Sequence, residues 1–100
     1  MSQVTTHVLD TAAGRPAAAV AVRLEGDAGV VATGETDADG RIDDLGPDQL
    51  EPGTYRLRFD TAVRSSFFPE VVVAFAIADD SHVHVPLLLS PFGYSTYRGS

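Results

Sequence analysis

The 100-residue chain contains no cysteine, no lysine and no tryptophan. Without thiols it has no disulfides, no thiolate metal ligands and no cysteine nucleophile. A domain this small then depends on burial or assembly for its stability. One hundred residues make at most one small domain, residues 1–100, which buries only about two-thirds of the surface its unfolded form exposes. Self-association is therefore expected. The seven cations are all arginine, and fourteen acidic residues bring the net charge to -7. That balance offers no basic footprint to nucleic acid or to an anionic membrane, so neither is an expected partner. No apolar run approaches the roughly 20 residues that cross a bilayer. The start Met1-Ser2-Gln3-Val4 lacks a basic segment followed by an apolar one, and a cytoplasmic location is expected.

What the chain has in quantity is turn residues, nine Gly and six Pro, set between short runs of Val, Thr, Tyr and Phe. Residues 3–10 read as a strand stopped by Gly14 and Pro16. Residues 17–24 also read as a strand, since Val20, Val22 and Leu24 alternate with Ala21 and Arg23. After a turn at residues 25–29, Val30 to Thr36 supplies another. Asp37-Ala38-Asp39-Gly40 then reverses the chain and starts a strand at Arg41, because Gly takes positive φ without strain. The clearest alternation is at residues 54–60, with Tyr55, Leu57 and Phe59 on one face and Arg56 and Arg58 on the other. Residues 67–78 and 82–89 are longer apolar runs; Pro86 inside the second marks an edge or a bulge. Residues 94–97 could add a last strand. Seven or eight short strands with little helix predict an all-β fold, a two-layer antiparallel sandwich.

Three histidines are the titratable candidates. His82 and His84 stand two apart on a strand, which puts both rings on one face about 7 Å apart. One reading is structural, with His82 in solvent and His84 a satisfied inward residue. A second recruits His7 as a third metal ligand, because three imidazoles and a water can make a zinc site. A third combines His7, His84 and Arg41 in a cofactor-free site, with a neutral imidazole as general base and the guanidinium as anion clamp. No Gly-x-Ser-x-Gly elbow or Gly-rich phosphate loop is present. The tail carries Tyr97, Arg98, Gly99 and Ser100, a phenol, a cation, a flexible backbone and a hydroxyl with the terminal carboxylate; it reads either as a last edge strand with a disordered tip or as a tail docked into a pocket.

Together, Thr6-His7-Val8-Leu9-Asp10, Gly14-Arg15-Pro16-Ala17, Thr36-Asp37 to Gly40-Arg41, Phe67-Phe68-Pro69-Glu70, and above all the run from His82-Val83-His84-Val85-Pro86-Leu87-Leu88-Leu89 to Tyr97-Arg98-Gly99-Ser100 resemble the 5-hydroxyisourate hydrolases, the enzymatic relatives of transthyretin. The terminal Tyr-Arg-Gly-Ser separates the hydrolases from the hormone carrier. The resemblance implies a transthyretin-like sandwich that pairs through edge strands and assembles as a homotetramer, a dimer of dimers with active sites between the dimers. It implies hydrolysis of the small molecule 5-hydroxyisourate in urate catabolism by water attack on a ring carbonyl, with no cofactor and no metal. His7, Arg41, His84 and Ser100 would be catalytic, and Tyr97, Arg98 and Gly99 would join His7 and Arg41 in binding substrate. His82 matches a position less directly tied to catalysis. Between Thr61 and Phe67 this chain is shorter than the family pattern, which has a short helix there, and that bears on assembly. Two other readings compete: a transthyretin-like module that binds a small ligand without turning it over, and a structural domain of a larger assembly, which the lack of flanking sequence disfavours.

Overall fold

The first strand, β1 (Val4–Asp10), alternates Val4, Thr6 and Val8 against Thr5, His7 and Leu9, and this period of two decides which side chains meet the core. Val4, Thr6 and Val8 are fully buried, and the other set lies on the opposite face of the sheet. The computed structural model describes residues 2–100. After β1 come β2 (Arg15–Pro16), β3 (Ala21–Gly26), β4 (Gly29–Glu35), β5 (Arg41–Ile42), β6 (Gly53–Asp60), β7 (Glu70–Ile77), β8 (Val83–Ser90) and β9 (Gly93–Thr96). No helix occurs among the described residues.

Two sheets form. One runs β2-β1-β8-β9, with β5 paired to the same side of β1 as β2, and the other runs β4-β3-β6-β7. Their inner faces close on Val22, Leu24, Leu57, Phe59 and Val71 from one sheet and Val8, Val85 and Leu87 from the other. The all-β sandwich expected from the sequence is the fold observed. Two of its nine strands have only two residues. It differs in one pairing: β1 and β8 run parallel, Val4 opposite Val83 through Asp10 opposite Leu89, whereas the other pairs are antiparallel. Parallel neighbours need a long crossover, and here everything from β2 to β7 serves as that connection.

Three local readings shift. The strand expected over residues 17–24 begins only at Ala21, because Ala19 sits at φ 60°, outside the extended region. Residues 67–69 precede β7 rather than belonging to it. Pro86 is not on an edge, since β8 has β1 on one side and β9 on the other. The proline does interrupt a ladder, however. Pairing with β9 stops at Leu87 opposite Thr96, and beyond it only a single His84–Gly99 bridge remains. The Thr96 hydroxyl donates to the Pro86 carbonyl at 2.7 Å.

Arg56 and Arg58 face outward as the alternation requires, and Arg58 is held between Glu25 at 3.2 Å and Glu70 at 2.7 Å. In the connection after β6, Arg64 reaches back to Asp10 at 3.3 Å and to the Ala18 carbonyl at 2.9 Å. That contact ties the loop to the segment following β1.

The turn before β5 is built tightly. Asp37 accepts the backbone N–H groups of Asp39 and Arg41 at 2.9 and 3.0 Å, and the Gly40 carbonyl accepts the Val8 N–H at 2.7 Å. Gly40 has φ 76°, and a Cβ there would collide with the Val8 carbonyl oxygen and press Pro16 Cβ at 3.0 Å. Gly40→Ala is therefore expected to cost about 2 kcal/mol or more of stability. Thermal unfolding measures this, and a wild-type midpoint would show that the turn relaxes freely.

Candidate active site

Thr5 and His7 lie on the outward face of β1. In the paired strands Thr5 stands opposite His84, and His7 stands opposite Arg41. Because directly opposed residues share a face, Thr5, His7, Arg41 and His84 gather on one side of the sheet, and His82 joins them two residues before His84. The segment ahead of β1 anchors both flanks of this group. Gln3 Nε2 donates to the carbonyls of Asp79 and Ser81 at 2.8 and 3.0 Å, fixing the loop that leads to His82. Gln3 Oε1 accepts the Leu50 N–H and Ser2 Oγ accepts the Leu45 N–H, fixing the loop that follows Arg41.

The result is a cavity of about 190 Å³ lined by Thr5, Arg41, Asp43, His82, His84 and Ser100. His84 is half-buried there. Burial first, then the Arg41 guanidinium, then His82 and His7 hold its imidazole below the ordinary histidine range, against a weaker opposing pull from Asp43. Loss of water and neighbouring positive charge both disfavour the imidazolium. His7 lies beside Arg41 but does not line the cavity. Its Nε2 donates to the Asp39 carbonyl at 2.8 Å; a carbonyl only accepts, so in the neutral ring Nδ1 carries the lone pair.

The two rings of the His-x-His pair stack at 6.4 Å between centroids and 20° between planes, close to the spacing expected from the sequence. Both reach Thr5 Oγ1, His84 through Nδ1 at 2.7 Å and His82 through Nε2 at 3.0 Å. Among the described residues, no three His, Cys, Asp or Glu side chains converge as a ligand set for a metal.

The tail divides. Gly99 donates its N–H to the His84 carbonyl at 2.8 Å, and Ser100 reaches the cavity wall. Tyr97 and Arg98 instead line a separate recess of about 320 Å³, which opens between the sheets beside Val73, Phe75, Val83 and Val85. Gly99 serves here through the side chain it lacks, since its φ is not positive. A Cβ at that position would lie 2.5 Å from His84 Cδ2 and 3.2 Å from Pro86 Cγ.

Sequence reasoning passed over Thr5 and Asp43. A threonine in a strand is ordinary, and its only signal is the period of two that puts it on the face of His7. Asp43 is one of many surface acids.

The HIUase/Transthyretin family model matches residues 4–99. The chain belongs to that family. It is 50% identical over 117 aligned residues to 5-hydroxyisourate hydrolase 2 of Rhizobium meliloti, covering 98% of this chain and 96% of that protein. It is 48% identical over 119 residues to the uric acid degradation bifunctional protein TTL of Arabidopsis thaliana, covering 97% of this chain; the chain spans only 37% of that longer protein. Among solved structures, Klebsiella pneumoniae 5-hydroxyisourate hydrolase superposes with a TM-score of 0.88 at 39% identity, over 97% of this chain and 98% of that one. The family resemblance read from the residues is thus shown.

Gly99→Ala is expected to displace either the tail or the His84 ring while leaving the core intact. The His84 ring resonances should move, with a melting temperature near that of the wild type. Unchanged ring resonances would show that the tail can shift aside without touching His84.

Proposed function

We propose that the chain hydrolyses 5-hydroxyisourate to 2-oxo-4-hydroxy-4-carboxy-5-ureidoimidazoline in urate catabolism, using its own side chains and no cofactor. The observation that carries this reading is the half-buried, neutral-leaning His84 facing a small cavity beside Arg41, in a chain that aligns over nearly its full length with a protein named for this hydrolysis.

The chemistry needs three things. A base takes a proton from water as its oxygen adds to a ring carbonyl, a cation holds the oxyanion that develops, and an acid returns a proton to the ring nitrogen as the C–N bond breaks. We assign the base to His84. Its pKa is depressed, and Nδ1 is already engaged with Thr5, which leaves Nε2 for the cleft. The protonated ring can then serve as the acid. Arg41 is placed for the oxyanion, its attraction strengthened where water is excluded. His7, hydrogen-bonded to Asp39 and cross-strand from Arg41, holds that part of the site. Ser100 offers a hydroxyl at the rim. A ligand carrier in the same fold would call for an apolar slot, not a titratable ring beside a guanidinium.

With urate and urate oxidase supplying the substrate, the protein should speed the decay of hydroxyisourate absorbance well beyond the uncatalysed rate, and EDTA should not slow it. His84→Ala and His7→Ala should each lower the rate by about 10²-fold. Because the His84 pKa is depressed, its neutral form persists into more acidic solution. The acid limb of kcat/KM should therefore fall below pH ~6.5, the ordinary histidine value. Near-full activity of a folded His84→Ala protein would remove it from the mechanism, and a limb centred above that value would exclude His84 as the base.

The cavity is open on one side, and we infer that a second copy completes it within a homotetramer, a dimer of dimers. The unpaired edge strands β7 and β9 support this, as do exposed Val72, Phe92, Tyr94 and Tyr97 on and beside them; such edges invite pairing. Light scattering at micromolar concentration should give four copies, and a monomer there would contradict it.

A further inference from the structure

We propose that Thr5 is the positioning residue that decides which nitrogen of His84 carries the proton, and that His82 sets the direction in which the Thr5 hydroxyl points. This rests on the hydrolase reading for its effect on rate, but its geometry stands by itself.

Thr5 is only 4% exposed, so its hydroxyl must find its partners within the protein. They are His84 Nδ1 at 2.7 Å and His82 Nε2 at 3.0 Å. A hydroxyl has one proton to give and two lone pairs to accept with, and this limits the arrangements for two neutral rings. In one, His84 Nδ1–H donates to Thr5 and Thr5 donates to His82, leaving His84 Nε2 a bare lone pair aimed at the cleft. In the other, His82 Nε2–H donates to Thr5 and Thr5 donates to His84 Nδ1, so His84 Nε2 bears the hydrogen and cannot act as a base. If both rings donate, the hydroxyl proton is stranded in a nearly buried place, which is costly.

Ring rotation offers no escape. Turning His84 by half a turn would put carbon where Nδ1 meets Thr5, and Gly99 already closes on the Cδ2 edge. The remaining freedom is the tautomer, and the Thr5 hydroxyl reports the state of one ring to the other. His82 is exposed. Once protonated, both its nitrogens donate, which forces Thr5 to donate to His84 and switches off the base. The other charged or titratable groups facing this pair are His7 from β1, Arg41 from β5, Asp43 after it and Ser100 from the tail. None of them makes a hydrogen bond to either ring among the described residues. The relay therefore has two inputs, the hydroxyl and His82.

The test uses the full chain with histidine labelled by ¹⁵N, and reads the ring nitrogens by long-range proton–nitrogen spectra near pH 7.5. Wild-type His84 should carry its proton on Nδ1. Thr5→Val should shift the proton toward Nε2, lower kcat about tenfold with KM within about twofold, and change the shape of the acid limb. Thr5→Ser should restore the tautomer and most of kcat. His82→Phe should reproduce the Thr5→Val loss, and the double variant should be no slower than either single one, because both remove the same relay. Should Thr5→Val fail to fold, His82→Phe, at an exposed position, carries the same test. A wild-type His84 protonated on Nε2, or a His82→Phe protein with wild-type kcat and pH profile, would overturn the proposal. If the wild type hydrolyses nothing, the functional reading fails, and the ring-nitrogen spectra still decide the relay.

Discussion

The register between β1 and β8 is the constraint on which the rest of the site depends. These strands run side by side and in parallel over seven residue pairs, and the same pairing serves the core on one face and the chemistry on the other. Val4, Val8, Val85 and Leu87 go inward, and that burial holds the alternation in place. A slip of one residue would turn every side chain of the slipping strand to the opposite face. A slip of β1 would bury His7, a slip of β8 would bury His84, and either would expose valines, so the free energy of the core also enforces the geometry of the imidazoles. Sites carried on strands in this way are held more rigidly than sites carried on loops.

The remaining parts are brought up to this pair of strands by close backbone approach. Gly40 presents its carbonyl to Val8 and delivers Arg41 opposite His7. Gly99 lies against the ring and carbonyl of His84 and delivers Ser100 to the cavity wall. In both cases the glycine is needed where a Cβ would strike a fixed neighbour, although only Gly40 also needs its left-handed φ. The tail is thereby split between two places. Ser100 and Gly99 belong with the histidines, and Tyr97 and Arg98 belong with the open edge of the sandwich.

Much of this was legible from the residues because it rests on local patterns. The alternation of residues 54–60, the Asp-Gly turn before Arg41 and the His-x-His spacing each concern neighbours in sequence, and each lies in the structure as the pattern requires. The parallel pairing of β1 with β8 was not legible, since it joins residues almost eighty positions apart. Pro86 was half legible: its missing N–H marks an interrupted ladder, but whether that ladder belongs to an edge depends on β9 and the tail. Residues 17–20 look like the start of a strand, yet Ala19 takes a positive φ and the segment is hydrogen-bonded through the Ala17 and Ala18 carbonyls and the Val20 N–H to Thr36 and Arg64, which are far away in sequence. Thr5 and Asp43 acquire meaning only through what stands opposite or beside them.

The electrostatics of the cleft run against those of the whole molecule. A net charge of -7 makes a field that favours protonated histidine and repels an anionic substrate. Surface carboxylates more than about 8–10 Å away are largely screened at physiological salt, so the decision falls to the groups within the cavity. There, burial and then Arg41 outweigh Asp43 at His84 and hold the imidazole below the ordinary histidine range in spite of the acidic surface. The guanidinium that adds to burial in lowering the pKa of that ring lines the same cavity. One arginine thus acts twice in the same small space, lowering the proton affinity of the His84 ring and supplying a cation to the wall of the cleft that the ring faces.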